Sequence, residues 1–155
     1  MGDEINGEIE NKREMALREY FHVFDAIDKF DARSLQIKSW SVTLSAASIG
    51  FAISQNAPAL LFLASFSALI FWMIETLWKY YQDILIKRGE RIEHIIHSDL
   101  NGYTGPTINK AFKENLTWEK EKRALPDIFW YRNVMLPHFV VIVTGILGYF
   151  YVTLF

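Results

Sequence analysis

The chain has 155 residues, of which 51% are hydrophobic and 22% charged, with a net charge of -2. That length leaves room for one domain of ordinary size and disfavours a multidomain enzyme. With no cysteine, disulfide scaffolds, thiolate zinc sites, iron-sulfur clusters and cysteine nucleophiles are excluded, and 16 basic residues against 18 acidic ones give no global attraction to nucleic acid. The averages hide a segregation of charge. Residues 39–78 carry one charged side chain, Glu75, and none follows Arg132.

Residues 1–38 are acidic at the start (Asp3, Glu4, Glu8, Glu10), so they predict no cleavable signal peptide. Leu17, Phe21, Phe24 and Ile27 follow one another at steps of four, three and three. This spacing predicts an amphipathic helix whose apolar face packs on the middle of the chain. Its flanks carry acids rather than Lys and Arg, which argues against lying on lipid.

Residues 39–74 contain no ionisable side chain. As one helix they would measure ~54 Å against a ~30 Å hydrocarbon core, so they must fold back. Gln55, Asn56, Ala57 and Pro58 mark the turn. A transmembrane hairpin is predicted at 39–78, with spans at about 39–54 and 58–78.

After Trp78 the helical pattern runs on through Tyr81, Leu85, Ile92 and Ile95, predicting one helix of about 40 residues that extends from the second span. Residues 101–106, with Gly102, Gly105 and Pro106, predict a turn. A second helix is expected from Thr107 to about Leu125, ended by Pro126. Residues 79–133 thus form a cytoplasmic helical module, and 134–155 a third span of ~33 Å. The fold class expected is an all-α integral membrane protein: a hairpin, a C-terminal third transmembrane helix and a cytoplasmic helical module.

Arg33 and Lys38 precede the first span, Lys79, Lys87, Arg88 and Arg91 follow the second, and Arg132 precedes the third. By the positive-inside rule the N-terminus is cytoplasmic and the C-terminus outside. Trp40, Trp78 and Trp130 fall at the cytoplasmic boundary.

Ser41, Ser45, Ser48 and Ala52 draw a strip of small and hydroxyl side chains down the first span. The strip suits close helix packing or, repeated around an oligomer axis, a polar path, so Ser41, Ser45 and Ser48 are pore-lining candidates. Glu75, one turn inside the second span, is the fourth. It either attracts cations at a pore mouth, snorkels, or pairs with Lys79 or Lys38. His138, beside Pro137, reads as an interfacial hydrogen-bonding group rather than a proton relay. Gly145 and Gly148 mark close helix contact.

Lys110, Lys113, Lys120, Lys122 and Arg123, with Trp118, form a candidate site for a nucleotide or an anionic headgroup. Interleaved Glu114, Glu119 and Glu121 also fit a solvated face near the membrane. Glu90, His94 and His97 share a helical face but lack the pattern of a metal motif. No catalytic motif is present, so neither an enzyme nor a cofactor is expected.

Residues 38–43 (KSWSVT) open the hairpin, and 71–75 (FWMIE) run into 78–82 (WKYYQ) and a cytoplasmic helix. Over residues 20–98 this arrangement resembles the SLATT group, small bacterial membrane proteins encoded beside nucleotide-producing or nucleotide-sensing partners in antiphage operons. The resemblance implies a homo-oligomer, a tetramer, in the bacterial inner membrane. Such an assembly opens a pore or disrupts the membrane when a nucleotide or oligonucleotide signal, or a nucleotidyltransferase partner, engages its cytoplasmic part. The third span departs from the two-span pattern of the group. The alternative function is a non-conducting membrane sensor or anchor that recruits a cytoplasmic protein, and a membrane-embedded enzyme comes third.

Overall fold

The computed structural model describes residues 2–98, 100–107 and 125–154, and the described residues form helices joined by turns, with no strand among them. The elements are α1 (Gly2–Ser54), α2 (Pro58–Ser98), a 3-10 turn (Leu100–Gly102), α3 (Leu125–Phe129) and α4 (Arg132–Leu154). The second cytoplasmic helix expected at 107–125 lies outside the described residues. The expected end of that helix before Pro126 likewise lies outside the described residues, and among those described Pro126 is the second residue of α3.

α1 is one unbroken helix of 53 residues. On the exposed face of its first half, Lys12 pairs with Glu8, Arg18 with Glu14 and Lys29 with Asp25, all at i, i+4 spacing that supports a helix. The ammonium of Lys12, hydrogen-bonded to Glu8, holds that carboxyl below the ordinary range. The helix stops where the sequence indicates. Asn56 adopts the left-handed conformation (φ 49°), and Ala57 N–H donates to the Ala52 carbonyl at 2.9 Å, which caps the orphaned carbonyls of the last turn. Pro58 then opens α2, which runs 41 residues through Gly89 without a break.

The chain divides into two compact units, one from Met1–Asp31 with Tyr81–Lys122 and one from Ala32–Tyr80 with Arg123–Phe155. In the first, Ala16, Val23, Leu85, Ile92 and Tyr103 make the buried core, flanked by Tyr20, Ile27, Phe30 and Ile95. The expected apolar face of α1 is therefore corrected. Phe21, Phe24 and Leu17 are exposed, and the packed stripe is rotated by about one residue onto Ala16, Glu19 and Val23. Small side chains let α2 approach, so the bulkier aromatics fall outside the contact.

The second unit is apolar outside and polar within. Phe51, Ile53, Phe62, Leu63, Phe66 and Leu147 are exposed, whereas Ser34, Ser41, Ser45, Glu75 and His138 are buried. Small residues bring its helices together: Ala52, Ala64 and Ala68 are fully buried. At Gly145 an added Cβ would collide with Ser65 Oγ and stand 3.0 Å from the Leu61 carbonyl, whereas at Gly148 it would meet only Leu61 methyls at 3.5 and 3.6 Å. Trp72 pins α3 by donating from Nε1 to the Phe129 carbonyl at 3.0 Å and stacking on the Phe129 ring, centroids 4.0 Å apart. Among the described residues two helices, α2 and α4, are long and apolar enough to cross a membrane.

Candidate functional site

The polar interior of the second unit is assembled from three helices. α2 contributes Glu75, the one charge inside the apolar stretch, and its side chain is 0% exposed. A carboxylate so placed is stable only if every lone pair is engaged by donors. Ser34 Oγ donates to Oε1 at 2.9 Å and Lys38 Nζ pairs with the same oxygen at 3.0 Å, both from α1. Oε2 lies 2.9 Å from His138 Nε2 on α4.

His138 is equally buried, and its other ring nitrogen, Nδ1, lies 2.9 Å from Ser41 Oγ. The imidazole thus has one partner on each side. With Nε2–H donated to Glu75, Nδ1 is left to accept the Ser41 hydroxyl proton, and every member of the cluster is satisfied. His138 is accordingly not the interfacial group expected from its place near the end of the span. α4 turns it inward, where it bridges α2 and α1.

One helical turn beyond Ser41, Ser45 is fully buried, and its Oγ has no hydrogen-bond partner among the described residues. Ser48 is half-buried and its hydroxyl donates back to the Leu44 carbonyl at 2.9 Å. Ser65 Oγ donates to the Leu61 carbonyl at 3.1 Å and to the Ile142 carbonyl at 3.3 Å. Of the four pore-lining candidates, Ser41 and Glu75 meet in one cluster through His138, Ser45 extends it, and Ser48 stands apart. Of the two lysines considered for Glu75, Lys38 is in the cluster. Ser34 and His138 were not among the candidates. For His138 the signal was depth, one turn into the third span as Glu75 lies one turn inside the second, whereas Ser34 lies before the first span and carried no such signal.

Comparison with known protein families, curated proteins and solved structures returns no match.

The first unit holds a second polar hub. Glu19, with a side chain 1% exposed, accepts from Arg88 Nε at 3.0 Å and Nη2 at 2.8 Å, from the Tyr103 hydroxyl at 3.0 Å and from the Thr107 N–H at 3.1 Å. This carboxylate ties the turn after α2 to both long helices. Burial, then the hydrogen bond to Glu19 and its charge, push the Tyr103 hydroxyl up to about 12. The turn itself needs Gly105, whose φ of 104° a side chain would resist.

Glu90, His94 and His97 are exposed on α2, and no group of three residues able to hold a metal ion exists among the described residues. Lys110, Lys113, Trp118, Lys120, Lys122 and Arg123 lie outside the described residues. An apolar groove of about 540 Å³ on the second unit, lined by Leu69, Met73, Leu77, Leu125, Phe129 and Trp130 with Thr76 and Pro126, offers too little polar surface to orient a reacting ligand.

Proposed function

We propose that this chain is a three-span membrane effector that permeabilises or depolarises a bacterial inner membrane when a signal reaches its N-terminal and middle helices. The observation that carries the reading is the inverted polarity of the second unit, with Phe51, Phe62, Phe66 and Leu147 outside and Glu75, His138 and Ser41 buried. Hydrocarbon around the unit explains the apolar exterior, and intramembrane ionisable groups most often serve transport or signalling. The C-terminal part of α1 is the third crossing. Its charge-free residues 39–54 measure ~24 Å, so the span begins near Lys38, whose long side chain reaches both Glu75 and the headgroup layer. The N-terminus then lies in the cytoplasm and the C-terminus outside, as the positive residues near the spans support.

α1 and α2 each contribute residues to both compact units without a helix break. In keeping with the SLATT resemblance, the effector is a homo-oligomer of antiphage defence, a tetramer, activated by a nucleotide signal or a nucleotidyltransferase partner. Potassium-loaded vesicles of phosphatidylethanolamine and phosphatidylglycerol carrying the purified chain test this. Loss of internal potassium or collapse of an imposed potential, at high protein density or on addition of di- and oligonucleotides, supports the reading, and vesicles that stay tight under both conditions contradict it.

A second reading, a non-conducting anchor, is favoured by one feature. Phe21 and Phe24 are 65% and 52% exposed on the cytoplasmic part of α1, where a partner protein would cover them. It predicts a stable co-purifying protein and no flux.

A further inference from the structure

The helices of the second unit enclose a chain of proton-carrying groups within a single protomer. Starting from the half-covered end, Lys38 Nζ and Ser34 Oγ meet Glu75 Oε1, Glu75 Oε2 meets His138 Nε2, and His138 Nδ1 meets Ser41 Oγ, with separations of 2.9 to 3.0 Å throughout. One turn deeper on α1, the buried and unpartnered Ser45 hydroxyl continues the same face. An imidazole bonded through both nitrogens can take a proton on one side and release another on the far side without rotating. A potassium ion has no comparable path, because the members of the chain are fully buried apart from Lys38 and leave no room for a hydrated cation.

We infer that the species this protein carries is the proton, and that it crosses the cytoplasmic half of the membrane through each protomer along Glu75, His138, Ser41 and Ser45. The inference rests on the reading of the chain as a permeabilising membrane protein and names the ion. Each transfer is a proton hop with no change of oxidation state. Ser41 Oγ–H passes its proton to His138 Nδ1 and is replenished by a water that must enter between Ser41 and Ser45, whose hydroxyls share no hydrogen bond. His138 Nε2–H breaks as Glu75 Oε2–H forms, and Glu75 releases its proton to water at the Lys38 end. The reverse sequence carries protons outward. The titratable groups that face Glu75 are Lys38 from α1 and His138 from α4. Lys38 places a positive charge at the entrance, which repels a metal cation that would have to pass it as an ion. Towards the turn the buried side chains include Ala52, Leu61 and Ser65, whose hydroxyl is held by the Leu61 and Ile142 carbonyls, so conduction requires the helices to part there and admit water.

The test uses the full chain in phosphatidylethanolamine and phosphatidylglycerol vesicles with a trapped pH-sensitive dye. Valinomycin and a potassium gradient supply the driving potential, and potassium loss without valinomycin is measured in parallel. The wild type is expected to take up protons with little potassium loss. His138→Gln, which can still bond to Glu75 and Ser41 but cannot relay, is expected to slow uptake by about a hundredfold. Glu75→Gln should act similarly. Ser45→Ala disturbs no bond of the cluster, so its slowing of uptake decides the matter if circular dichroism shows that His138→Gln or Glu75→Gln loses helix. Unchanged proton uptake in all three variants, or potassium loss as fast as proton uptake, overturns the inference and leaves the permeabilising reading standing. The assay is run with and without added di- and oligonucleotides, and absence of both fluxes in the wild type under both conditions overturns both.

Discussion

Glu75→Ala removes the acceptor on which Lys38, Ser34 and His138 converge, and two views of the cluster give different costs for it. If the cluster is only a set of hydrogen bonds in a membrane, each is worth about 0.6 kcal/mol, so three total about 1.8 kcal/mol with no special dependence on Lys38. If the ion pair governs, the Coulomb term at the observed 3.0 Å between Lys38 Nζ and Glu75 Oε1 amounts to about 5.5 kcal/mol at an effective dielectric of about 20. It chiefly offsets the desolvation of both groups. Removing one partner then leaves an uncompensated charge, at a cost of about 3–5 kcal/mol. The lower end applies, because the Lys38 side chain is 23% exposed and can reach towards the headgroups. A double-mutant cycle separates the views. Glu75→Ala is expected to lose about 3 kcal/mol, and adding Lys38→Met should restore most of it, since a methionine of similar length leaves no buried charge behind. Reversible unfolding in mixed micelles, followed by helical circular dichroism, reads both values. A loss below about 1 kcal/mol for Glu75→Ala, or a double variant whose loss equals the sum of the two single losses, would refute the ion-pair reasoning.

Two further expectations rest on other parts of the molecule. Tyr103, with its hydroxyl pushed up to about 12, keeps its proton in the folded chain where an unfolded tyrosine loses it above about 10. Stability contributed by Tyr103 is therefore present below pH about 10 and lost as pH rises to about 12. The tyrosinate absorbance of wild type minus Tyr103→Phe should titrate near the upper value and move down in Glu19→Gln, and a difference signal centred near 10 in the wild type would contradict the hydrogen bond. Gly145→Ala should destabilise α4 packing by about 1–3 kcal/mol because the Leu61 carbonyl cannot yield, while Gly148→Ala is tolerated. Equal losses for the two in the same unfolding assay would argue against the close approach at Gly145.

The long-range order of the fold was legible where the sequence carried strong local chemistry. Gln55, Asn56 and Pro58 located the reversal because an amide tolerates the left-handed cap and proline opens a helix, and both roles are present in the structure. The 41-residue α2 followed from an unbroken periodicity. The rotational setting of α1 was not legible, because hydrophobicity favours Phe21 and Phe24 whereas packing selects the small Ala16 and Val23 together with a charge, Glu19. That burial depends on Arg88, 69 residues away. The same limit applied to the candidate site. Serine spacing drew a strip, but it could not say that His138, 97 residues beyond Ser41, would supply its partner.

The central claim, that three helices cross the membrane from a cytoplasmic N-terminus, is tested most directly by labelling single cysteines in a chain that has none of its own. A membrane-impermeant maleimide applied to intact spheroplasts should label Asn56→Cys and Thr153→Cys, and should reach Glu10→Cys and Glu93→Cys only after the membrane is opened. Labelling of Glu10→Cys from outside would place all of α1 on the far side, leave α2 and α4 as the only crossings, and contradict the account.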